Sequence, residues 1–273
     1  MLCKWLTCQE RNLSNYKFAV LDIAESSTPD DEVLDWLAHE LVLAHGSPRM
    51  IKAEYEILLE DAEKVGLDIL KKYIEEEVLP ARDRIPTRVG NFGEVLAAKC
   101  LMEFDGFWLP IYKLRFREKK DWAMRLTDLC LIKVDGLARP FVCYGEVKTK
   151  SAGCNLQLAV EGHASLAKDD ALANPEILHF ICIWLYETGQ HEEGDFLSRI
   201  RLGKLQYDKR HDLFLVHNRD NWSEEILDNL EVCDLDERLA NFSVKVVLIA
   251  ELRRVIDSAY ARAWIGAEEI VNG

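Results

Sequence analysis

The stretch Leu126–Lys150, LTDLCLIKVDGLARPFVCYGEVKTK, decides how the rest of the chain is read. Two apolar runs, Leu126–Val134 and Phe141–Lys148, flank the turn signals Asp135-Gly136 and Pro140. That pattern predicts an antiparallel hairpin centred on Leu137. About such a centre Asp128 and Glu146 stand opposite each other. Strand side chains alternate faces, so Glu146 and Lys148 share one face and Val147 points the other way, into the core. Asp128, Glu146 and Lys148 are therefore expected to converge on one small patch. Two carboxylates at one spot repel, and a divalent cation offsets their charge. Oxygen-only ligands suit Mg²⁺ or Mn²⁺. The same spacing also describes a solvent-facing strand with a cross-strand Glu–Lys pair. The apolar neighbours Val142-Cys143-Tyr144 and Val147 argue against that alternative.

Thr127-Asp128 and Gly145-Glu146-Val147-Lys148 resemble the signature of the PD-(D/E)XK nucleases. The resemblance implies that Asp128, Glu146 and the main-chain carbonyl of Val147 hold the metal, and that Lys148 orients the attacking water and stabilises the charged phosphate. Phosphodiester hydrolysis asks for those parts on its own account: a nucleophile near neutral pH, a Lewis acid and a cation for the developing charge. Asn91-Phe-Gly-Glu94 reads as a helix start. Asn91 is placed to cap and Glu94 falls at the third helical position, a capping box. The nuclease resemblance offers a second role for Glu94, as a further metal ligand from the helix preceding the core sheet, and both roles stay open.

The likeness extends beyond the tripeptide. RVGNFGE (Arg88–Glu94), a strand, Thr127-Asp128, a second strand, GEVK and a helix follow an acidic helical N-terminal region. That order resembles the HamA family, the nuclease subunits of the bacterial Hachiman anti-phage system, over Arg88–Ala171. It implies an α/β (α+β) fold with a PD-(D/E)XK core, a mixed central sheet flanked by helices. It further implies metal-dependent DNA cleavage and a partner, a HamB-like superfamily 2 helicase. The alternatives are a restriction or repair endonuclease of the same fold, and a non-catalytic interaction module built on it. DNA and RNA are not distinguished by these residues.

Charge supports a dependent enzyme. The 273 residues carry a formal net charge of −14. Residues 1–86 hold 10 basic and 18 acidic side chains, residues 156–273 hold 12 and 22, and only residues 87–155 are basic, with 12 and 8. The one basic island coincides with the expected site, so a polyanion is tolerated there but weakly held by this chain alone. No run of 18 apolar residues is present, and the N-terminal MLCKWLTCQERN lacks a signal-peptide core, so no membrane association is expected. The 8 cysteines show no CxxC or zinc spacing, which fits small core residues in a reducing cytoplasm.

The remaining chain divides into 1–86, a strand and helical region expected to dock a partner or cover the sheet, and 87–273, the nuclease domain, with a boundary between Pro80 and Pro86. Lys17–Ile23 predicts a strand. Thr28 predicts a cap for a helix closed by Gly46, and a second helical region runs from Ser47 towards Leu79 with a break near Gly66. Gly106–Arg117 predicts the first core strand, with Lys113, Arg115 and Arg117 on one basic face, serving either a phosphate backbone or edge protection. A helix is expected over Asn155–Ala171, with His163 packing rather than ligating and Gln157 near the site. Ile177–Tyr186 is helix or strand, Gln190–Asp195 a loop, Leu213–His217 and Ser243–Ile249 strands, and Ala250–Trp264 a closing helix.

Overall fold

The computed structural model describes residues 1–11, 16–60, 66–119, 122–123, 127–134, 136, 139–168 and 175–273; of 117–119, 122–123 and 175 it describes the backbone alone. Its centre is a six-stranded mixed sheet in the order β1-β2-β8-β7-β6-β5. The strands are β1 (Leu6–Glu10), β2 (Ala19–Glu25), β5 (Leu129–Lys133), β6 (Phe141–Lys150), β7 (Asp208–Asn218) and β8 (Ser243–Ile249). β2, β8, β7 and β6 run parallel, and β1 and β5 pair antiparallel at the two edges. Central strands covered on both faces read as near-continuous apolar runs, as SVKVVLI and DLFLV do.

The β5–β6 hairpin has the register the sequence predicts. Leu129 pairs with Gly145 and Lys133 with Phe141, so the pairs are centred on position 137. Asp135, Leu137 and Ala138 of the connecting turn lie outside the described residues. Gly136 takes φ +61°, a conformation open mainly to glycine.

Helices cover both sheet faces. On one, α5 (Ile85–Asp105) and α10 (Leu252–Ala261) pack over Leu129, Leu131, Val147, Phe214, Val216 and Val247, with α2 (Asp31–His45) and α11 (Ala263–Asn272) packed against these helices and each other in the same core. On the other, α6 (Leu158–Leu166) and α9 (Glu225–Glu231) pack over Leu213, Leu215, Val244 and Val246. There α7 (Pro175–Glu187) and α8 (His191–Arg201) pack over Cys130, Ile132, Val142 and Tyr144. The first 86 residues supply the edge pair β1–β2, α1 (Leu2–Trp5), α2, α3 (Pro48–Glu60) and α4 (Gly66–Tyr73), the last running on into a π turn at Ile74–Val78.

Several local expectations are overturned. Gly106–Arg117 is not a strand of the main sheet. Trp108 exchanges both backbone bonds with Ile132, at 2.7 and 2.9 Å, and there the pairing stops. Pro110 has no N–H to continue a ladder, and the chain turns instead through a 3₁₀ helix at Lys113–Arg115. The segment beyond, read as basic strand and polar loop, forms β3 (Arg117–Lys119) of a small two-stranded sheet with β4 (Trp122–Ala123); Lys120 and Asp121 lie outside the described residues.

Asn91 is not a cap, because α5 begins six residues earlier with Pro86 in its first turn. Its side chain is buried and donates to His45 Nε2 of α2 at 2.9 Å, while His45 Nδ1 donates to Leu41 O at 2.7 Å. Asp30, not Thr28, caps α2 by accepting from the Val33 N–H at 2.9 Å. The loop expected at Gln190–Asp195 is the first turn of α8, whose Leu197 and Ile200 are buried against α7. Ile177–Tyr186 is helical, and the single closing helix is two, α10 and α11. The break expected near Gly66 falls beside residues 61–65, which lie outside the described residues. The helix expected over Asn155–Ala171 is shorter, Leu158–Leu166, ending at Ala167.

Candidate active site

β6 outruns β5, and the predicted residues gather where this happens. Asp128 sits one position before β5 begins, across from Glu146 in the extended register. Its Oδ2 takes the place of the next ladder carbonyl, accepting the Val147 N–H at 3.0 Å. In an extended strand the N–H and C=O of one residue point to the same edge, so the Val147 carbonyl also faces the Asp128 side.

On the α6 face, Lys148 Nζ donates to Glu146 Oε1 at 2.7 Å and to Ser165 Oγ at 3.2 Å. α6 can lie close because residue 162 is glycine. A Cβ there would stand 2.4 Å from Leu213 Cδ1 and 3.2 Å from Lys148 Cγ. On the opposite face α5 approaches β6 through Gly93, where a Cβ would meet Thr149 Oγ1 at 1.8 Å. That approach brings the next residue, Glu94, to the sheet's edge.

Lys113 closes the group. Its ammonium contacts Asp128 Oδ1 directly and stands 3.6 Å from Glu94 Oε2, with only 9% of its side chain exposed. The 3₁₀ turn aims it inward, and Arg115 Nε donates to Leu43 O of α2 at 2.7 Å to fix that turn. Sequence reading placed Lys113 on an outward basic face and missed Ser165 altogether. The available signal for Lys113 was Pro110, which argues against a central strand through that stretch. For Ser165 the helical register of α6 alone was too common a pattern to mark it.

The electrostatics are strained. Burial, and then the neighbouring charge of Asp128, pushes the Glu94 carboxyl up to about 8. The same two causes, in that order, raise Glu146, with Lys148 opposing. Burial pulls Lys113 down, but Glu94 and Asp128 outweigh it and the net shift is upward. Three carboxyl groups thus share two ammonium groups. Glu94 Oε2 is buried and has no hydrogen bond among the described residues.

His163 lies outside this group. Its Nε2 accepts the Asp236 N–H at 3.1 Å and its ring meets Phe242 edge-on, a satisfied packing histidine. Gln157 is exposed at the start of α6. All 8 cysteines are free, and Cys130, Cys143 and Cys182 are buried in the core.

A family model for HamA matches residues 1–263, nearly the whole chain. The chain belongs to the HamA family. It is accordingly a Hachiman anti-phage defence protein. No curated protein matches it. The HamA match takes in β1, β2 and the N-terminal helices together with the hairpin, so it is not carried by the Glu146-Val147-Lys148 signature alone. Among the described residues no helix of this HamA protein is long and apolar enough to cross a membrane.

Whether the residues fit a metal is a question of donors. Among the described residues no three acidic, histidine or cysteine side chains are already grouped as ligands. The donor chemistry nevertheless suits a hard cation: carboxylates of Asp128, Glu146 and Glu94, a backbone carbonyl at Val147, and a buried Glu94 oxygen with the Lys113 ammonium 3.6 Å away but no hydrogen bond. A directly coordinated cation would satisfy that oxygen more fully than the distant ammonium does.

Proposed function

We propose that this chain is the metal-dependent DNA nuclease of a Hachiman defence complex, hydrolysing phosphodiester bonds at the Asp128–Glu146–Lys148 site. The observation that carries the reading is that β6 presents Glu146 across from Asp128 and Lys148 on the same face, with the Lys148 ammonium held in place by Glu146 and Ser165. Asp128, Glu146, Glu94 and the Val147 carbonyl would hold Mg²⁺ or Mn²⁺, which supplies Lewis acidity and a hydroxide-like nucleophile near neutral pH.

The protein's own groups do the rest. Lys148 is a fixed cation for the charge that grows on the phosphoryl oxygens, and it stands ready to orient the attacking water. Glu146 and Ser165 hold that ammonium in one rotamer, so little reorganisation is needed when the substrate arrives. Glu94, Asp128 and Glu146 have little exposed side-chain area, and this withdrawal from water strengthens each charge interaction there.

Affinity for DNA is the weak link. The flanking segments carry −8 and −10 around a +4 site region. Beyond a Debye length of about 8–10 Å at moderate salt that field repels a polyanion. A helicase partner with its own DNA channel would hold the nuclease beside the strand at high effective concentration. Residues 1–86 are the proposed docking region, and Met50, Ile57, Leu58 and Leu59 of α3 are exposed apolar side chains there.

The test uses the chain alone and bound to its helicase partner, with Mg²⁺, on plasmid DNA and on RNA of matched length. The expected result is slow cleavage by the chain alone, faster DNA cleavage by the complex, and loss of at least a hundredfold on Glu146→Gln or Lys148→Met with the complex intact. Rapid plasmid degradation by the chain alone, with nanomolar DNA affinity, would remove the partner requirement. Unchanged cleavage by Glu146→Gln would remove the site.

A further inference from the structure

We infer that Lys113 is the internal counter-ion of this site, and that a divalent cation enters it only by displacing the Lys113 ammonium from Asp128. The inference rests on the metal reading of the site above and adds a residue that sets how tightly the site takes its cation.

Lys113 is buried among acids, not on the outer face of a strand. Its ammonium touches Asp128 Oδ1 and lies 3.6 Å from Glu94 Oε2, while Asp128 Oδ2 is bound by the Val147 N–H at 3.0 Å. Both oxygens of Asp128 are therefore engaged, one of them by a full positive charge. The proposed metal ligands Asp128 and Glu94 are the same two groups that Lys113 bridges. A lysine ammonium and a divalent ion a few ångströms apart repel strongly in a site this enclosed. The two cations thus compete for one place.

The lysine is not pinned by a sheet ladder. Lys113 lies on the 3₁₀ turn and not in a sheet ladder, so its backbone need not move for its four-carbon stem to swing. The turn itself is held: Arg115 Nε donates to Leu43 O and the Phe116 N–H donates to Lys113 O at 2.9 Å. The ammonium is the movable part of a fixed arm. Lys148 is held differently, between Glu146 and Ser165, and keeps its place. One lysine of the site is a removable neutraliser and the other a resident cation.

Without Lys113 or a metal, Glu94, Asp128 and Glu146 would face one another with the Lys148 ammonium alone to offset them. Lys113 therefore stabilises the metal-free fold and weakens metal binding, two effects that a purely structural lysine would not couple.

The experiment measures Mn²⁺ binding by calorimetry and metal-free thermal unfolding for the wild type, Lys113→Met, Lys113→Arg, Asp128→Asn and Glu146→Gln. Expected are Mn²⁺ binding at least tenfold tighter in Lys113→Met and a metal-free Tm lower by roughly 5 °C or more, recovered by Mn²⁺. Lys113→Arg should keep both the wild-type Tm and the wild-type affinity. If Lys113→Met does not fold, Lys113→Gln takes its place, keeping a donor and losing the charge; its expected gain in affinity is the same. Equal or weaker Mn²⁺ binding by the Met and Gln variants, while the wild type binds and Asp128→Asn does not, overturns the role of Lys113 and leaves the site reading standing. No Mn²⁺ binding at millimolar concentration by any protein overturns the metal reading, and the competition with it.

Discussion

Two buried charge clusters of opposite character lie along α5, one at its middle and one at its C-terminal end. Glu94 lies near the middle of the helix, against the hairpin edge. Asp105 ends it, about 16 Å further along at 1.5 Å per residue. At the Asp105 end Arg210 donates to Asp105 at 2.6 Å and to Asp212 at 2.9 Å. Lys245 donates to Asp105 at 3.1 Å, and Ser243 donates to Asp212 at 2.7 Å. Two acids meet two bases, and every oxygen of Asp212 has a neighbour, the Cys143 thiol included at 3.5 Å. At Glu94 three acids meet two bases, and Glu94 Oε2 has the Lys113 ammonium 3.6 Å away but no hydrogen bond. The same residue types thus build a closed structural pin in one place and an under-neutralised site in the other. The difference lies in count and closure, not in burial, for both are largely withdrawn from water.

The sharpest way to break that contrast is at the closed end. Asp212→Ala leaves Arg210 and Lys245 sharing the single carboxylate of Asp105, in a position with no exposed side-chain area on Asp212. Removing one member of a buried ionic network costs about 3–5 kcal/mol, so the Tm should fall by roughly 10 °C. Mn²⁺ affinity of the folded fraction should not change. A loss of metal affinity would mean that the two clusters are not independent.

Gly93→Ala probes the contact between α5 and β6 that brings Glu94 to the edge. A Cβ 1.8 Å from Thr149 Oγ1 forces the helix and strand apart. Overpacking of this kind costs about 1–3 kcal/mol. Cleavage by the complex should fall by more than the stability loss explains, because Glu94 and Lys113 are displaced together. Wild-type cleavage in a destabilised protein would show that the Glu94 position is not critical.

The smallest effect is expected from Glu94→Gln, and it has a sign. In the folded protein the Glu94 carboxyl is raised to about 8 from an ordinary 4.5, by burial and then by Asp128. The folded state therefore binds that proton more tightly than the unfolded state. The contribution is fully present below about 4.5 and is lost as pH rises towards and through 8. Metal-free wild type should lose Tm relative to Glu94→Gln between pH 5 and 8, while near pH 4.5 the two should melt alike. Parallel pH profiles would show that Glu94 is not strained.

The hairpin was legible because its information is local. Two apolar runs, a turn and a two-residue alternation fix the register, and with it the pairing of Asp128 with Glu146 and the shared face of Lys148. Lys113 was not legible. Its alternation with Leu114 and Phe116 has the period of an amphipathic strand, and that local pattern lost to Pro110 and to the Arg115 bond with α2. Asn91 was misread for a related reason: a capping residue and a buried polar residue look alike until it is known where the helix begins. Here the helix begins at Ile85, and Asn91 is tied to His45.

By itself the sequence determined β2, β5, β6, β7 and β8, the hairpin register that sets Asp128 across from Glu146 with Lys148 on the same face, and the uneven charge that leaves one basic island in an acidic chain. Those depend on neighbours along the chain and on the period of two. Only the tertiary structure decided that Gly93 and Gly162 let two helices close on β6 from opposite faces. Only it swung Lys113 between Glu94 and Asp128, gave Ser165 to Lys148, and made the cluster at Asp105 complete while that at Glu94 stayed one partner short. Those facts depend on distances between residues remote in sequence, and a one-dimensional pattern of charges carries no distance.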